Sequence, residues 1–154
     1  MKNEIRELLA AADGMAVPLE EVPDEVFAAK MLGEGFAVEP ENGVFYSPAD
    51  GVVESVTDTL HAYSIRTDDG LDLLVHIGVD TVDLQGRGFE SMVKSGDRIR
   101  AGDVIAKVDL GYVRSQGYPV ITPVVVSNFE EMKSCDIRCG EVIGGKSAVV
   151  EYRV

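Results

Sequence analysis

Turn-forming dipeptides recur through this chain at intervals too short for long helices. Asp13-Gly14, Asn42-Gly43, Asp50-Gly51, Asp69-Gly70, Gly96-Asp97 and Gly102-Asp103 each pair an acceptor side chain with a residue free to take positive φ. Between them lie short runs rich in Val and Ile, among them Val52-Val53, Leu73-Leu74-Val75 and residues 120–126. Such runs, closely punctuated by turns, specify many short antiparallel strands. The sixteen glycines and absent tryptophan agree with this. The 154 residues are enough to bury a real core and read as one domain over 1–154.

Residues 3–12 are good helix formers, yet they contain an echo. Ala10-Ala11-Ala12-Asp13-Gly14 precedes Met15-Ala16-Val17, and Ser47-Pro48-Ala49-Asp50-Gly51 precedes Val52-Val53. The second copy holds Pro48 and cannot be mid-helix. Both copies therefore read as strand, turn, strand: 8–11 and 15–19, then 44–47 and 52–56. Shared turn chemistry explains such an echo as well as duplication does. Residues 24–32 carry apolar side chains at helical spacing, with Asp24 as cap and Gly33 or Gly35 as stop, and predict one helix of about two turns. Further strands are predicted at 36–38, 90–93 and 104–108. Residues 109–118 form an irregular or helical connection. The apolar run 120–126 is interrupted by Pro123, which marks an edge, a bulge or a strand beginning after it. A helical turn over 128–133 precedes a terminal pair of strands, 141–143 and 148–154, joined through Gly144-Gly145. The sum is about ten to thirteen strands with one dependable helix, an all-β, barrel-like sandwich.

The stretch 59–80 holds both histidines of the protein, His61 and His76, on two β-favouring runs joined by Asp68-Asp69-Gly70. It reads as a hairpin. A two-residue loop of Asp68-Asp69 sets His61 opposite His76, and one of Asp69-Gly70 sets them diagonally on one face. A three-residue loop without a compensating bulge separates them to opposite faces. A lone strand histidine is more often structural than functional, but two on one hairpin carry more meaning. Imidazole can ligate a metal, act as base, or act as a nucleophile and carry a phosphoryl group. A second imidazole nearby could donate a hydrogen bond to phosphoryl oxygens, and Thr59 could add a hydroxyl. Gly78 leaves backbone open beside His76, for a partner's approach or for a bond to the ring's other nitrogen; a simple bend explains it equally.

Other chemistries find less support. With 27 acidic and 14 basic residues, the net charge of −13 repels nucleic acid and anionic lipid. Cys135 and Cys139 are too few for a disulfide scaffold and lack metal-ligand spacing, so they read as buried or free thiols. Two histidines fall one ligand short of a usual zinc site, which Asp80 or a partner's carboxylate would have to complete. No Walker loop, dinucleotide glycine pattern or nucleophile elbow is present. Phe27, Met31, Leu32 and Leu74 serve either as core or as an apolar docking platform. The start of the chain is unlike a signal peptide and no apolar run is long enough to span a membrane, so a cytoplasmic location without membrane insertion is expected.

Several segments, taken in order, resemble one family. They are Val22-Pro23-Asp24-Glu25-Val26-Phe27-Ala28, Ser47-Pro48-Ala49-Asp50-Gly51, and Leu74-Val75-His76-Ile77-Gly78-Val79-Asp80-Thr81-Val82. Gly86-Arg87-Gly88-Phe89, the two Gly-Asp corners, and Thr122-Pro123-Val124-Val125-Val126-Ser127-Asn128 continue the match. The chain resembles the enzyme IIA component, glucose class, of the bacterial phosphoenolpyruvate-dependent sugar phosphotransferase system, from about Leu8 onward. That resemblance implies an antiparallel β-sandwich, a duplicated hybrid motif with one or two short helices. It implies His76 as the residue phosphorylated, on Nε2, with His61 as hydrogen-bonding companion and Thr59 as active-site threonine. Phosphate would come from the histidine-containing phosphocarrier protein and leave for a cysteine of the IIB domain of a sugar permease; regulatory protein targets are a further class of partner. No cofactor is required, although zinc is compatible with His61 and His76 when a partner adds a ligand. The resemblance also moves Phe27, Met31, Leu32, Leu74 and Asp80 toward a docking role. Leu60 where relatives often have Asn, and Ala11 where a proline is expected, depart from the pattern without touching the proposed transfer atoms.

Overall fold

The structure, a computed structural model, describes residues 4–154. Fourteen strands are found among them: β1 (Arg6–Leu9), β2 (Gly14–Pro18), β3 (Glu34–Pro40), β4 (Val44–Tyr46), β5 (Gly51–Val56), β6 (Ala62–Thr67), β7 (Asp72–His76), β8 (Phe89–Ser91), β9 (Arg98–Ile99), β10 (Val104–Val108), β11 (Thr122–Val126), β12 (Ser134–Ile137), β13 (Gly140–Val142) and β14 (Ala148–Arg153). Two short α-helices accompany them, α1 (Glu25–Ala28) and α2 (Leu110–Ser115). An eight-stranded sheet runs β13-β2-β3-β11-β7-β6-β5-β9, and two three-stranded sheets run β4-β10-β8 and β1-β14-β12. Every recorded strand pair is antiparallel. The large sheet stays open, so the architecture is a sandwich without a closed barrel.

Alternation along the large sheet feeds two cores. Phe36, Val38, Tyr63, Ile65, Leu73, Val75, Val124 and Val126 point into the main core, with Phe45, Ile105, Val150 and Tyr152 contributed by the small sheets. Ala37 and Val125 point the other way, into a smaller cluster with Leu19, Val22, Phe27, Val79 and Ile121. Strand β11 is thus buried on both faces, which accounts for its nearly continuous apolar composition. It also lies between β3 and β7, so Pro123 is no edge residue. β11 pairs with β3 from Thr122 but with β7 only from Val124, so the missing N–H falls where the β7 ladder has not begun.

The echo of residues 10–14 in 47–51 is carried into hydrogen bonding. Leu9 N donates to Pro48 O at 2.9 Å and Tyr46 N to Ala11 O at 2.7 Å, a reciprocal pair under the equivalence that sets Asp13 on Asp50. The two aspartates do the same work: Asp13 accepts from Gly144 N and Asp50 from Ala101 N, both at 2.8 Å. The strand reading of residues 8–11 therefore holds in kind, displaced to Arg6–Leu9.

Other boundaries differ from the sequence reading. Helix α1 is one turn, not two. Asp24 caps it as expected, accepting from Val26 N and Phe27 N. It ends early because Lys30 takes a left-handed conformation (φ 59°), while Met31 N bonds Val26 O and Lys30 N bonds Phe27 O. This is a Schellman ending without its usual glycine. The last strands, β13 and β14, do not pair with each other; β13 joins β2, and β14 lies between β1 and β12. Strand β12 has no counterpart among the predicted strands, because its mostly exposed residues carry no burial pattern.

Candidate active site

Strands β6 and β7 form the hairpin, and its loop has three residues. Thr67 N donates to Leu71 O at 2.9 Å, and Asp68-Asp69-Gly70 turns with Gly70 at φ 95°. Ala62, not His61, stands opposite His76. A regular pleat in this register would put the histidines on opposite faces, yet their rings meet edge to face with centroids 4.8 Å apart. The reason is that His61 is not in the pleat. It ends a turn between β5 and β6 in which Leu60 N donates to Thr57 O at 2.8 Å and Leu60 itself is left-handed (φ 61°). Neither two-residue register forms; the turn before β6 brings the pair together instead.

Each ring is tied at Nδ1. Nδ1 of His76 lies 2.8 Å from the Gly78 carbonyl, and a carbonyl only accepts, so this nitrogen carries the ring proton. Nε2 of His76 therefore keeps its lone pair. The bond from backbone to the ring's other nitrogen, raised as one use for Gly78, is present. Gly78 needs its φ of 77°, and a Cβ there would meet the Thr81 methyl at 2.5 Å and the Pro119 carbonyl oxygen at 2.8 Å. Thr81 is buried and fixed by its hydroxyl donating to Ile77 O at 2.6 Å.

Nδ1 of His61 lies 2.7 Å from Thr59 Oγ1 and 3.3 Å from Thr57 Oγ1. Thr59 reaches the ring from the turn that precedes β6. Burial, then the neighbouring His76, lowers the His61 pKa to about 4. Burial also lowers that of His76, opposed by the Gly78 carbonyl and by Asp24 and Asp80. Both imidazoles are neutral at neutral pH, one requirement of a nitrogen nucleophile.

The remaining sequence candidates distribute around this pair. The Phe27 ring packs on His76 with centroids 5.1 Å apart and is itself buried. Leu74 lies on the His76 face of β7, partly buried against the smaller cluster. Met31 and Leu32 are exposed, and Leu32 lines a groove of about 520 Å³ with Ser64, Arg66, Asp72 and Leu74. Asp80 is exposed and acts on His76 through its charge. Among the described residues no three His, Cys, Asp or Glu side chains converge, so Asp80 does not complete a metal site with the histidines. Cys135 and Cys139 are free and exposed. Sequence reasoning missed Thr57 and the electrostatic role of Asp24. A hydroxyl four residues before a histidine has no distinguishing signal, and Asp24 was legible only as a cap.

Two imidazoles set among apolar side chains on an open antiparallel sandwich have the chemistry that a carrier of a phosphoryl group requires. Residues 6–132 match the family model described as phosphoenolpyruvate-dependent sugar phosphotransferase system, EIIA 1. The chain is 40% identical over 148 residues to a glucose-specific EIIA component of Staphylococcus epidermidis, covering 96% of this chain and 89% of the relative. It is 43% identical over 153 residues to a glucose-specific EIICBA component of Streptococcus pneumoniae, covering 99% of this chain and 21% of that longer protein. The glucose permease IIA from Mycoplasma capricolum superposes with a TM-score of 0.92 at 37% identity, covering 98% and 97% of the two chains. The chain belongs to this family, glucose class, and is a phosphoryl carrier of sugar uptake. No helix among the described residues is long and apolar enough to cross a membrane.

Proposed function

We propose that His76 receives the phosphoryl group on Nε2 from the phosphohistidine of the histidine-containing phosphocarrier protein and passes it to a cysteine of a IIB domain. The observation that carries this reading is the bond from His76 Nδ1–H to the Gly78 carbonyl, which leaves Nε2 as the nucleophile. In the accepting step the Nε2 lone pair forms the new N–P bond while the donor's N–P bond breaks and its electron pair returns to the donor ring. The proton on His76 Nδ1 stays, and the Gly78 carbonyl stabilises the positive charge the ring acquires. His61 steadies the phosphoryl oxygens by a hydrogen bond, with Thr59 orienting its ring. The thiolate of the IIB cysteine then displaces His76 Nε2.

Met31, Leu32, Leu74 and Asp80 form the surface on which the partners dock, with the exposed Met31 and Leu32 supplying apolar contact, while Phe27, buried in the smaller core, supports that surface from beneath. The acidic charge of the chain favours a partner with a basic face and speeds transient encounter. Fusion of a matching region with B and C parts in the EIICBA relative supports the IIB partnership. A cytoplasmic location follows from these partners.

The test is incubation with phosphoenolpyruvate, enzyme I and the phosphocarrier, followed by mass measurement. One acid-labile phosphoryl group is expected, and on His76. A His76→Ala protein that still accepts it would sink the assignment. His61→Gln should accept phosphate normally and pass it on slowly; unimpaired delivery to IIB would remove His61 from the mechanism.

A further inference from the structure

The role just given to His61 requires its Nε2 to carry the proton, since only an N–H can donate to phosphoryl oxygens. The turn that holds His61 contains a device that selects this tautomer. Thr57 Oγ1 accepts two backbone bonds, from His61 N at 3.2 Å and Ala62 N at 3.1 Å. A hydroxyl oxygen has two lone pairs and one proton. With both lone pairs engaged, Thr57 cannot accept from a ring N–H as well. Its own proton has two receivers in reach, His61 Nδ1 at 3.3 Å and Ala62 O at 3.5 Å.

A proton on His61 Nδ1 would thus face a hydroxyl with no lone pair left. A bare Nδ1 would instead meet hydroxyl donors, Thr57 at 3.3 Å and Thr59 at 2.7 Å. The Thr59 hydroxyl can serve either tautomer, because no donor among the described residues engages its lone pairs. The asymmetry lies in Thr57 alone. The same residue closes the turn through its backbone: Thr57 O accepts from Leu60 N, and Thr57 N donates to Ala62 O at 3.1 Å. Thr57 thus closes the turn through its backbone while its Oγ1 lone pairs are occupied by the N–H groups of His61 and Ala62 at the end of that turn.

We propose that Thr57 is a positioning residue that holds His61 as the Nε2–H tautomer, ready to donate to the phosphoryl group on His76. The proposal rests on the assignment of His61 above, but its primary test does not depend on transfer. Histidine ring nitrogens are observed by long-range 1H–15N correlation at pH 8, where both rings are neutral, in wild type, Thr57→Val and Thr57→Ser. Wild type should show His61 protonated at Nε2. In Thr57→Val the ratio of the two tautomers should fall about tenfold, the scale of one neutral hydrogen bond, and Thr57→Ser should restore it. Wild-type His61 protonated at Nδ1 overturns the proposal without any variant. An unchanged ratio in Thr57→Val overturns it as well, and Thr57→Ala is read in the same way should the valine protein not fold. Transfer from phosphorylated protein to IIB separates the two ideas. His61→Gln at full rate refutes the donor role of His61 and with it the functional half of this proposal. Slow His61→Gln with an unshifted tautomer in Thr57→Val refutes Thr57 alone.

Discussion

Gly78 bears most directly on how the site is held, and Gly78→Ala measures it. The residue sits at φ 77°, where an L side chain costs about 1–2 kcal/mol. The added Cβ would lie 2.5 Å from the Thr81 methyl and 2.8 Å from Pro119 O. Neither neighbour yields easily. Thr81 is fully buried and anchored through its hydroxyl to Ile77 O, and Pro119 O belongs to backbone that accepts from Val79 N. Overpacking of this kind costs about 1–3 kcal/mol, while the stiffer unfolded chain offsets less than about 1 kcal/mol. The net expectation is a loss of about 2–4 kcal/mol, read by urea denaturation as a fall in midpoint of about 1–2 M with unchanged slope. Thr81→Ser removes the offending methyl and keeps the hydroxyl. The double variant should recover about 1 kcal/mol relative to additivity. A Gly78→Ala protein within about 0.5 kcal/mol of wild type, or a cycle with no coupling, would refute the packing argument.

Acidification should destabilise the fold. His61 has its folded pKa lowered to about 4 from an ordinary 6.5, so the unfolded chain binds the extra proton between these values. Stability present above pH 6.5 is then lost as pH falls toward 4, by up to about 3 kcal/mol, and His61→Gln should flatten that dependence in urea titrations. Phe27→Ala opens the smaller core beneath His76 and should cost about 3–4 kcal/mol in the same assay; a cost under about 1 kcal/mol would mean the ring is not packed as described. Thr59→Val removes the 2.7 Å contact to His61 and should slow delivery to IIB while leaving phosphate acceptance intact, measured by single-turnover transfer.

Much of this molecule was legible because its chemistry is local. Asp-Gly and Gly-Asp turns, β-branched runs and the Asp24 cap act over a few residues, and the strands they bound formed where those signals lie. The echo was legible for the same reason, although only the reciprocal Leu9–Pro48 and Tyr46–Ala11 bonds show the two copies facing each other. His61 and His76 were readable as candidates from their being the only histidines, close together in sequence.

How they meet was not readable. In a regular pleat, parity puts both rings on one face with a two-residue loop and on opposite faces with a three-residue loop. The tertiary structure chose the three-residue loop and escaped parity by placing His61 in a turn, with Leu60 left-handed and Thr57 bonded across to Ala62. Leu60 has no glycine-like preference for that conformation, nor does Lys30 at the end of α1. In both cases neighbouring hydrogen bonds impose what propensity disfavours. Pro123 likewise reads as an edge until β11 is seen held between β3 and β7, with its missing donor beyond the β7 ladder. Sequence by itself determined most of the strands, the turn-forming dipeptides between them and the identity of the two imidazoles, since those follow from covalent geometry and short-range pattern. Register, the face His61 points to, and which nitrogen of His76 is free were decided only by tertiary contacts, because each depends on a partner brought in from elsewhere in the fold.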